Sequence, residues 1–479
     1  MPDLEDLLSD AWRDRTEAVA GDPGLDPAGL AFRVRRRRTR RHVLQATVSL
    51  PVVAALALGA WTLAGRTAQV PPVTQTPAPS PTWTVSPEPT AGLVPAPAIP
   101  GLPDRFLMPD GLLARTGPGW VLATYAAPEP DGGESAIDAV LLVSPGGVVY
   151  QVALLDGAPA DGGAPQQVEI VDWQPGSSTA IVMQRSYAPG LDGLGTYARL
   201  DLTSGTVSPV EKELGSVPGY GGRVGGAEAW TDGTDNSRLQ FVADGQVVRT
   251  DLYLATVRAS PDGSTFWAFG EDASGDRRLE VLDAATREVL ETGDAFVAAG
   301  CWPVHWWTAS SILAECSDGP PSDGEPILQT HPRLEVFGLD EIAAGSGTLL
   351  RTLRVGDPVV ADTARVADRT VVIAAQTLTD RTTGRLDWCG QQVHLLTNGA
   401  FTPLPLRAAD RFRVAGADGR VLVEPITHCE GMNAGAGPLL AIDPATGATT
   451  TLLDVPPGVE DPRAFGTDRR GLTGWSAGP

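Results

Sequence analysis

Turn sequences that recur along the chain constrain its fold more than any other feature. One class of turn separates short apolar runs at seven places, near residues 144, 201, 244, 283, 339, 397 and 443, about 40 to 58 residues apart. A second class falls between them: VDWQPGSSTAIVM, VRASPDGSTFWAF, HWWTASSILAE, RVADRTVVIAA and RVAGADGRVLVE. Short apolar runs bounded by Gly, Asp, Pro and Ser are typical of strands, so each interval predicts two hairpins, or four strands.

A four-stranded unit of this length is what one blade of a β-propeller requires. A single twisted sheet cannot cover both of its faces, whereas blades stacked around an axis bury each other's faces and leave short edges. We therefore expect residues 104–479 to form an all-β domain, a β-propeller of seven blades, with six or eight as alternatives. Residues 463–479 are expected to return and complete the blade that begins near residues 105–125.

The segment AIDPATG matches the A-x-D-x-x-T-G pattern of quinoprotein-type repeats. The domain thus resembles bacterial β-propellers of the quinoprotein-like, YVTN-like and TolB-like kinds. The match departs at Thr451, where the pattern has Trp, and at Arg287, which replaces Gly in the related segment around residue 283. Since Asp and Gly also make a good hairpin turn, we interpret the motif as blade architecture and expect no cofactor.

An arginine run followed by an apolar run predicts one membrane crossing. Residues 43–64 contain no charged residue and would span about 33 Å as a helix, close to the thickness of a hydrocarbon core. Arginines beside a span stay in the cytoplasm, so the transmembrane helix at 43–65 is expected to act as a signal anchor with its C-terminal side outside the cell. The arginines that set this topology are Arg33, Arg35, Arg36, Arg37, Arg38, Arg40 and Arg41.

Two alternatives to a retained span were considered. A cleaved signal peptide has a much shorter charged region than the 42 residues found before this apolar run. A soluble protein with a buried helix here would leave the arginines unexplained.

The expected cytoplasmic tail, residues 1–42, begins with an amphipathic pattern over residues 3–19. This short helix is either a plain surface helix or a docking helix for a cytoplasmic protein partner. The layout of tail, arginines and single span resembles bacterial membrane proteins encoded beside extracytoplasmic-function sigma factors, some of which are anti-sigma factors. The zinc-binding signature of that group is absent, because every cysteine lies after residue 300.

Between the span and the domain, residues 66–103 hold 11 prolines, six threonines and two serines. Such a segment cannot bury a core, and we expect a disordered, extended spacer. The chain after residue 42 has 27 basic and 50 acidic residues, so this acidic body should repel nucleic acid.

All four cysteines lie in the part that is expected outside the cell, where disulfides persist. Cys301 and Cys316 flank one hairpin and would stand opposite each other. Cys389 and Cys429 occupy similar places in consecutive repeats. Of the three possible pairings we predict 301–316 with 389–429; a zinc site is the alternative, but no CxxC spacing supports it.

Several further sequence features resemble catalytic or binding motifs. GWSAG (474–478) fits the G-x-S-x-G pattern of serine hydrolases but has no chain after it for the acid and histidine, so we interpret it as chance. The acidic loops 230–237 and 270–276 lack calcium-site spacing and are interpreted as solvated turns. His305 is expected to be a core or funnel residue, and the tryptophans at 302, 306 and 307 are expected to fill blade interfaces rather than stack on a carbohydrate.

These observations lead us to expect a membrane-anchored binding protein without catalytic activity, which recognises an unknown ligand or protein outside the cell. One alternative is a transmembrane regulator of a sigma factor or a similar partner. The other is a propeller-based enzyme: a lyase, a hydrolase or a quinone-dependent dehydrogenase. A propeller centre without clustered Asp, Glu, His or Arg residues would exclude the enzyme.

Overall fold

Strands dominate the computed structural model, which describes residues 90–127, 137–156, 166–186, 195–210, 219–231, 238–243, 246–318, 330–380, 385–386, 390–409, 411–427, 435–454 and 471–477. These residues belong to one compact unit, Ser80–Pro479. Besides strands they form a 3₁₀ helix at Leu113–Arg115 and two short α-helices, α1 (Asp294–Ala298) and α2 (Leu339–Ile342). The all-β expectation is confirmed for this part of the chain.

Several expectations fall outside the described residues: the tail at 1–42, the topology arginines, the span at 43–65, and the pair Cys389 and Cys429. Where the structure is described, no helix combines the length and the apolarity that a membrane crossing needs.

The strands of the described residues form six sheets. The first contains β1 (Phe106–Leu107), β2 (Val121–Ala127), β3 (Ile137–Val143), β4 (Val149–Asp156) and the last strand, β30 (Gly471–Ala477), in the order β1-β4-β3-β2-β30. The second is β5 (Gln166–Trp173), β6 (Thr179–Ser186), β7 (Gly195–Asp201) and β8 (Val207–Pro209) in sequence order.

The third sheet has seven strands in sequence order: β9 (Gly219–Val224), β10 (Ala227–Thr231), β11 (Arg238–Ala243), β12 (Gln246–Ala259), β13 (Thr265–Glu271), β14 (Arg277–Asp283) and β15 (Val289–Thr292). Strand β12 belongs to two ladders, because Gln246–Tyr253 pairs with β11 and Tyr253–Ala259 pairs with β13. The sheet is therefore two four-stranded sets that share one long strand.

The remaining sheets have four main strands each. The fourth is β16 (Cys301–Thr308), β17 (Ser311–Asp318), β18 (Thr330–Gly338) and β19 (Thr348–Thr352). The fifth is β20 (Pro358–Ala367), β21 (Thr370–Asp380), β23 (Gln392–Thr397) and β24 (Ala400–Pro403), with β22 (Arg385–Leu386) beside β21. The sixth is β25 (Arg411–Ala417), β26 (Arg420–Thr427), β28 (Leu439–Ile442) and β29 (Thr449–Leu453), with β27 (Gly435–Ala436) beside β26.

Both classes of predicted turn join neighbouring antiparallel strands. The first class connects pairs such as β3–β4 and β28–β29, and the second connects pairs such as β5–β6 and β25–β26. In AIDPATG, Asp443 accepts hydrogen bonds from the backbone N–H groups of Ala445 and Thr446, and Gly447 has φ +73°. Arg287 adopts φ +67° at the equivalent turn position. Turn geometry thus accounts for the motif, as expected. Near residue 339 the connection is helix α2 rather than a tight turn.

The C-terminal strand β30 completes the first sheet, as expected from the sequence. It pairs antiparallel with β2 and also packs against β5 of the second sheet. Gly474 lies so close to β5 that a Cβ atom there would be 2.8 Å from the backbone N and O of Ile170. Ser476 Oγ accepts a hydrogen bond from the backbone N–H of Trp173. Residues 474–477 therefore pack one sheet against the next, in agreement with the interpretation that the serine-hydrolase match is chance.

Hydrophobic clusters lie between successive sheets. One joins the first and second sheets, and others join the third to the fourth, the fourth to the fifth and the fifth to the sixth. Another joins the sixth sheet to the first, where Leu422 of β26 packs in the same cluster as Tyr125 of β2. The order of contacts therefore returns from the last sheet to the first.

The start of the folded unit corrects the predicted boundary at residue 104. Ile99 and Leu102 pack in the cluster of the first sheet, and Pro95 bridges to Phe106. The Arg105 guanidinium donates hydrogen bonds to the carbonyl of Pro97 and to the side chain of Gln151. Although residues 90–103 are proline-rich, their few apolar side chains bury surface, so this end of the expected spacer belongs to the fold.

The disulfide Cys301–Cys316 ties β16 to β17. The two cysteines are directly opposed in the ladder, with a Cα–Cα distance of 4.0 Å. This is the pairing that the hairpin predicted.

We expect the double variant Cys301→Ser/Cys316→Ser to unfold at lower denaturant than the wild type. A disulfide that closes a loop of about 15 residues contributes about 3 kcal/mol, mainly by restricting the unfolded chain. Chemical denaturation with and without dithiothreitol measures the effect. An equal free energy of unfolding for the oxidised wild type and the double variant would contradict it, and any remaining response of the variant to reductant reports the other two cysteines.

A buried carboxyl group lies between the first two sheets. Asp138 of β3 is 1% exposed, and its Oδ2 accepts a hydrogen bond from the backbone N–H of Val168 on β5. Its Oδ1 is buried without a hydrogen-bond partner among the described residues. Desolvation, together with the negative charge of Glu169, raises the pKa of Asp138 from 3.8 to about 7 against the opposing effect of the Val168 hydrogen bond.

Because the folded state favours the protonated Asp138, folding takes up a proton between about pH 4 and pH 7. Below about pH 4, Asp138 makes its full contribution to the free energy of unfolding. As the pH rises from about 4 to about 7, that contribution falls by at most about 4 kcal/mol. Asp138→Asn should remove this dependence while keeping an acceptor for Val168. Denaturation at pH 5 and pH 8 for both proteins provides the test, and parallel pH profiles would refute it.

Candidate functional site

A charged cluster joins the second and third sheets. Asp172 Oδ2 accepts hydrogen bonds from Tyr220 Oη and Arg223 Nε, both at 2.5 Å. Arg199 makes a bidentate pair with Glu228, at 2.6 and 2.5 Å. Since these groups satisfy one another across the sheet boundary, the cluster serves packing and leaves no charged group for a ligand.

A wide cleft of about 740 Å³ lies between the fourth and fifth sheets. Its lining includes Trp307, Val336 and Leu350 together with turn residues at its rim. The two charged residues of its lining, Asp340 and Arg369, are exposed. This cleft offers apolar surface for contact, but the charged residues of its lining are exposed to solvent rather than buried.

A smaller cavity, of about 270 Å³, is chemically richer. It lies where β12 and β13 of the third sheet, β16 and β17 of the fourth sheet, and β20 of the fifth sheet meet. Its lining residues are Thr256, Arg258, Trp267, Phe269, Trp302, Pro303, Val304, Glu315, Asp362 and Thr363. A concave site with a few convergent polar groups among aromatic walls is the usual form of a small-molecule site, and we take this cavity as the candidate functional site.

One wall of the cavity comes from paired positions on β12 and β13. Arg258 is opposite Trp267 and Thr256 is opposite Phe269, so strand alternation brings all four side chains to one face. Trp267 is 2% exposed, and its Nε1–H has no acceptor among the described residues. Leaving such a donor unsatisfied costs about 1–3 kcal/mol. Burial lowers the pKa of Arg258 from its usual value, and the charge of Asp362 opposes this shift.

The second wall holds a carboxylate beside an indole. Glu315 on β17 is directly opposite Trp302 on β16, one step from the disulfide-bonded pair Cys301 and Cys316. Glu315 is only 2% exposed, and the guanidinium of Arg277 lies 5.9 Å from the centroid of the Trp302 ring. The disulfide therefore fixes the register of the two strands at the point where they supply both side chains.

The third wall comes from the middle of β20. Asp362 accepts hydrogen bonds from the backbone N–H of Thr363 through Oδ1, at 2.8 Å, and from that of Val414 through Oδ2, at 3.3 Å. Thr363 Oγ1 donates to the carbonyl of Val304. These bonds link β20 to β16 and β25 and hold the Asp362 carboxylate at the cavity.

His305 lies next to this cavity, on β16. Burial and the positive charges of Arg258 and Arg365 lower the pKa of His305 to about 3, so the ring is neutral at neutral pH. Its Nδ1 is 3.3 Å from the carbonyl oxygen of Trp306. His305 is thus a buried, neutral residue and not a cation.

Metal ligation has weak support in the described part of the chain. One group there brings Cys, His or acidic ligand atoms within 4.8 Å of one another, and it consists of Cys301, Cys316 and Glu335. Because the two cysteines form a disulfide, their thiolates are not available as ligands.

The structure separates the three tryptophans that were expected to fill interfaces. Trp306 and Trp307 do so, being 0% and 5% exposed, and Trp306 Nε1 donates to the carbonyl of Arg258. Trp302 is half-buried and lines the small cavity, as Trp307 lines part of the wide cleft. In the acidic loop 270–276, Asp272 Oδ1 accepts bonds from Ser274 and Asp276, which makes the loop a solvated turn, as expected.

Sequence reasoning missed Arg258, Trp267, Glu315, Asp362 and Thr363. A signal for two of them was present: Glu315 interrupts the apolar run SILAEC, and Arg258 follows the apolar Val257 in TVRAS. A charged residue inside a strand that is otherwise buried needs a reason, and a cavity is one.

No model of a known protein family and no curated protein matches the chain. Similar solved structures include the β-propeller domain of the Trilobed protease from Pyrococcus furiosus, with 10% identity, coverage of 60% of this chain and 85% of that one, and a TM-score of 0.39. TolB from Acinetobacter baumannii has 14% identity and a TM-score of 0.31, and the match covers 60% of this chain and 64% of TolB. A prolyl endopeptidase has 11% identity and a TM-score of 0.45, and the match covers 71% of this chain and 51% of the endopeptidase. The chain therefore spans about half of the endopeptidase's length. The similar structures are β-propeller proteins, and at this identity the likeness concerns the fold alone.

The comparison corrects the expected function. A binding protein without catalytic activity was expected, but several of the similar structures are peptidases that carry propeller domains. The chain matches only the propeller domains of these peptidases, at 10–12% identity. Arg258, Glu315 and Asp362 all line the small cavity.

Proposed function

We propose that the chain is a hydrolase whose substrate site is the cavity between β12, β16 and β20. The observation that carries the proposal is a pair of carboxylates, Glu315 and Asp362, in the wall of one small cavity beside Trp302. Two carboxyl groups on either side of a scissile bond are the usual apparatus for glycosidic hydrolysis, and an indole face suits a sugar ring. The proposed reaction is hydrolysis of a glycosidic bond.

The two carboxyl groups would divide the work of acid and base. We assign proton donation to the leaving group to Glu315, the more buried of the two. Asp362, held by the N–H groups of Thr363 and Val414, would act as the base that takes a proton from the attacking water. Water forms the new bond to the sugar carbon as the bond to the leaving group breaks; afterwards Asp362 releases its proton to solvent and Glu315 takes one up.

We also propose that the domain has seven blades. The support is a hydrophobic cluster inside the seven-stranded sheet, in which residues of β9–β11 pack against residues of β12–β14. Phe241 and Phe266 meet edge to face across it, with ring centroids 5.1 Å apart. If β12 ends one blade and begins the next, the six sheets supply seven blades.

For location, we propose that residues 43–65 anchor the protein in the cell membrane and that the cavity faces the outside. The support is the uncharged segment behind seven arginines and the disulfide Cys301–Cys316, which persists in oxidising compartments.

Glu315→Gln and Asp362→Asn should each lower kcat/KM for a 4-nitrophenyl glycoside by about 10²–10⁴, the usual contribution of a positioned acid or base. The assay uses a panel of 4-nitrophenyl glycosides with the full chain and releases a coloured phenol. Asp340→Asn, which changes an exposed carboxylate in the other cleft, is the matched control and should leave the rate unchanged.

A variant that is inactive but melts at the wild-type temperature has lost a catalytic group, whereas a lower melting temperature indicates that its fold is destabilised. The proposal fails if the wild type releases no more phenol than the enzyme-free blank from every glycoside of the panel. It also fails if both folded variants retain the wild-type rate.

An alkaline phosphatase reporter fused after Pro479 should be active in intact cells, because that enzyme folds only where disulfides form. A fluorescent reporter at the N-terminus should be protected from external protease. Phosphatase activity that appears only after cell lysis would place the domain inside the cell.

A further inference from the structure

Arg258 lines the cavity, and among the described residues only the more distant charge of Asp362 acts on its guanidinium group. Arg258 makes no side-chain hydrogen bond and no ion pair with another of the residues that the structure describes. An arginine taken out of bulk water is normally paired, because its five N–H donors lose their hydration. An unpaired one in a cavity wall points to an anionic group supplied from outside the chain.

Trp267 provides a second donor, independent of Arg258, on the same wall. The two residues are directly opposed across β12 and β13, and the Nε1–H of Trp267 is buried without an acceptor among the described residues. One charged donor and one neutral donor on a single face match a carboxylate, which has two oxygens that each accept hydrogen bonds.

The acidic residues of the cavity do not occupy these donors. Asp362 directs its two oxygens at the backbone N–H groups of Thr363 and Val414. Among the described residues no hydrogen bond joins Arg258 to Asp362, although the charge of Asp362 acts on the guanidinium group. The oxygens of Asp362 are therefore already engaged by backbone N–H groups, which leaves the donors of Arg258 and Trp267 for an anion.

The cavity volume limits the size of the ligand. At about 270 Å³ it is slightly smaller than sites that enclose drug-sized molecules, which measure roughly 300–1,000 Å³. A single six-membered ring with its substituents is of this size. Trp302 and Phe269 supply flat apolar surface for one face of such a ring.

We propose that Arg258 and Trp267 bind the carboxylate of a sugar acid, so that the substrate is a small glycoside of an acidic sugar. This inference deepens the proposed function and rests on the same cavity being the substrate site. It adds a requirement that hydrolysis alone does not impose, namely a negative charge on the ring that binds beside Trp302.

Calorimetric titration of the purified full chain with glucuronate and with glucose tests the proposal, because the two probes differ only in the carboxylate. We expect a Kd at least tenfold lower for glucuronate. Arg258→Met should abolish this preference, and Trp267→Phe should reduce it. Arg249→Met, at an exposed arginine on the same strand, is the matched control and should bind like the wild type.

The titration separates this inference from the hydrolase proposal, since binding is measured without turnover and is repeated with Glu315→Gln. A glucuronate preference that depends on Arg258 supports the anion site even if no glycoside is cleaved. Equal affinity for both probes, no binding of either probe, or a preference that survives in a folded Arg258→Met variant would overturn it, whether or not hydrolysis is observed.

Discussion

A β-sheet has two faces to bury, and in this protein each sheet buries them against its neighbours in the chain. At the two ends of the domain, this constraint is satisfied by the pairing of β30 with β2. The pairing brings together Thr124 and Gly474, which are 350 residues apart in the chain. The contact tolerates no side chain at Gly474, whose backbone lies against Ile170. Packing of the sixth sheet on the first depends on the same closure, since Trp475 and Leu422 belong to one cluster.

The candidate site follows from this arrangement, because strands from three successive sheets converge at the cavity. Arg258, Glu315 and Asp362 come from different sheets, and none of them would be near the others without the packing of the third, fourth and fifth sheets. The disulfide beside Glu315 adds a local restraint at the same place. A desolvated arginine and a buried glutamate cost stability, so their presence in the wall of a cavity favours a role in binding or chemistry over a role in packing.

The sequence predicted the elements of the fold well. Both classes of turn, the return of the C-terminal strand and the pairing of Cys301 with Cys316 depend on local patterns: turn residues, alternation along strands and opposition in a hairpin. The boundary at residue 104 was less accurate, because composition describes residues 90–103 as a spacer whereas Ile99 and Leu102 join the core. The two-ladder strand β12 was not foreseen, since nothing in its sequence marks where one set of four strands ends.

By itself, the sequence determined the strand-rich architecture, the positions of the hairpins and the charge of the body, because each depends on residues close together in the chain. Only the tertiary structure decided which charged residues share a cavity and which satisfy one another. Arg223 and Arg258 are both arginines on strands, yet one pairs with Asp172 and the other lines the cavity beside Trp267. That difference arises because the neighbouring sheet places a carboxylate beside one arginine and a cavity beside the other. The pattern of apolar and polar residues in a strand does not show which residues of another sheet it will contact.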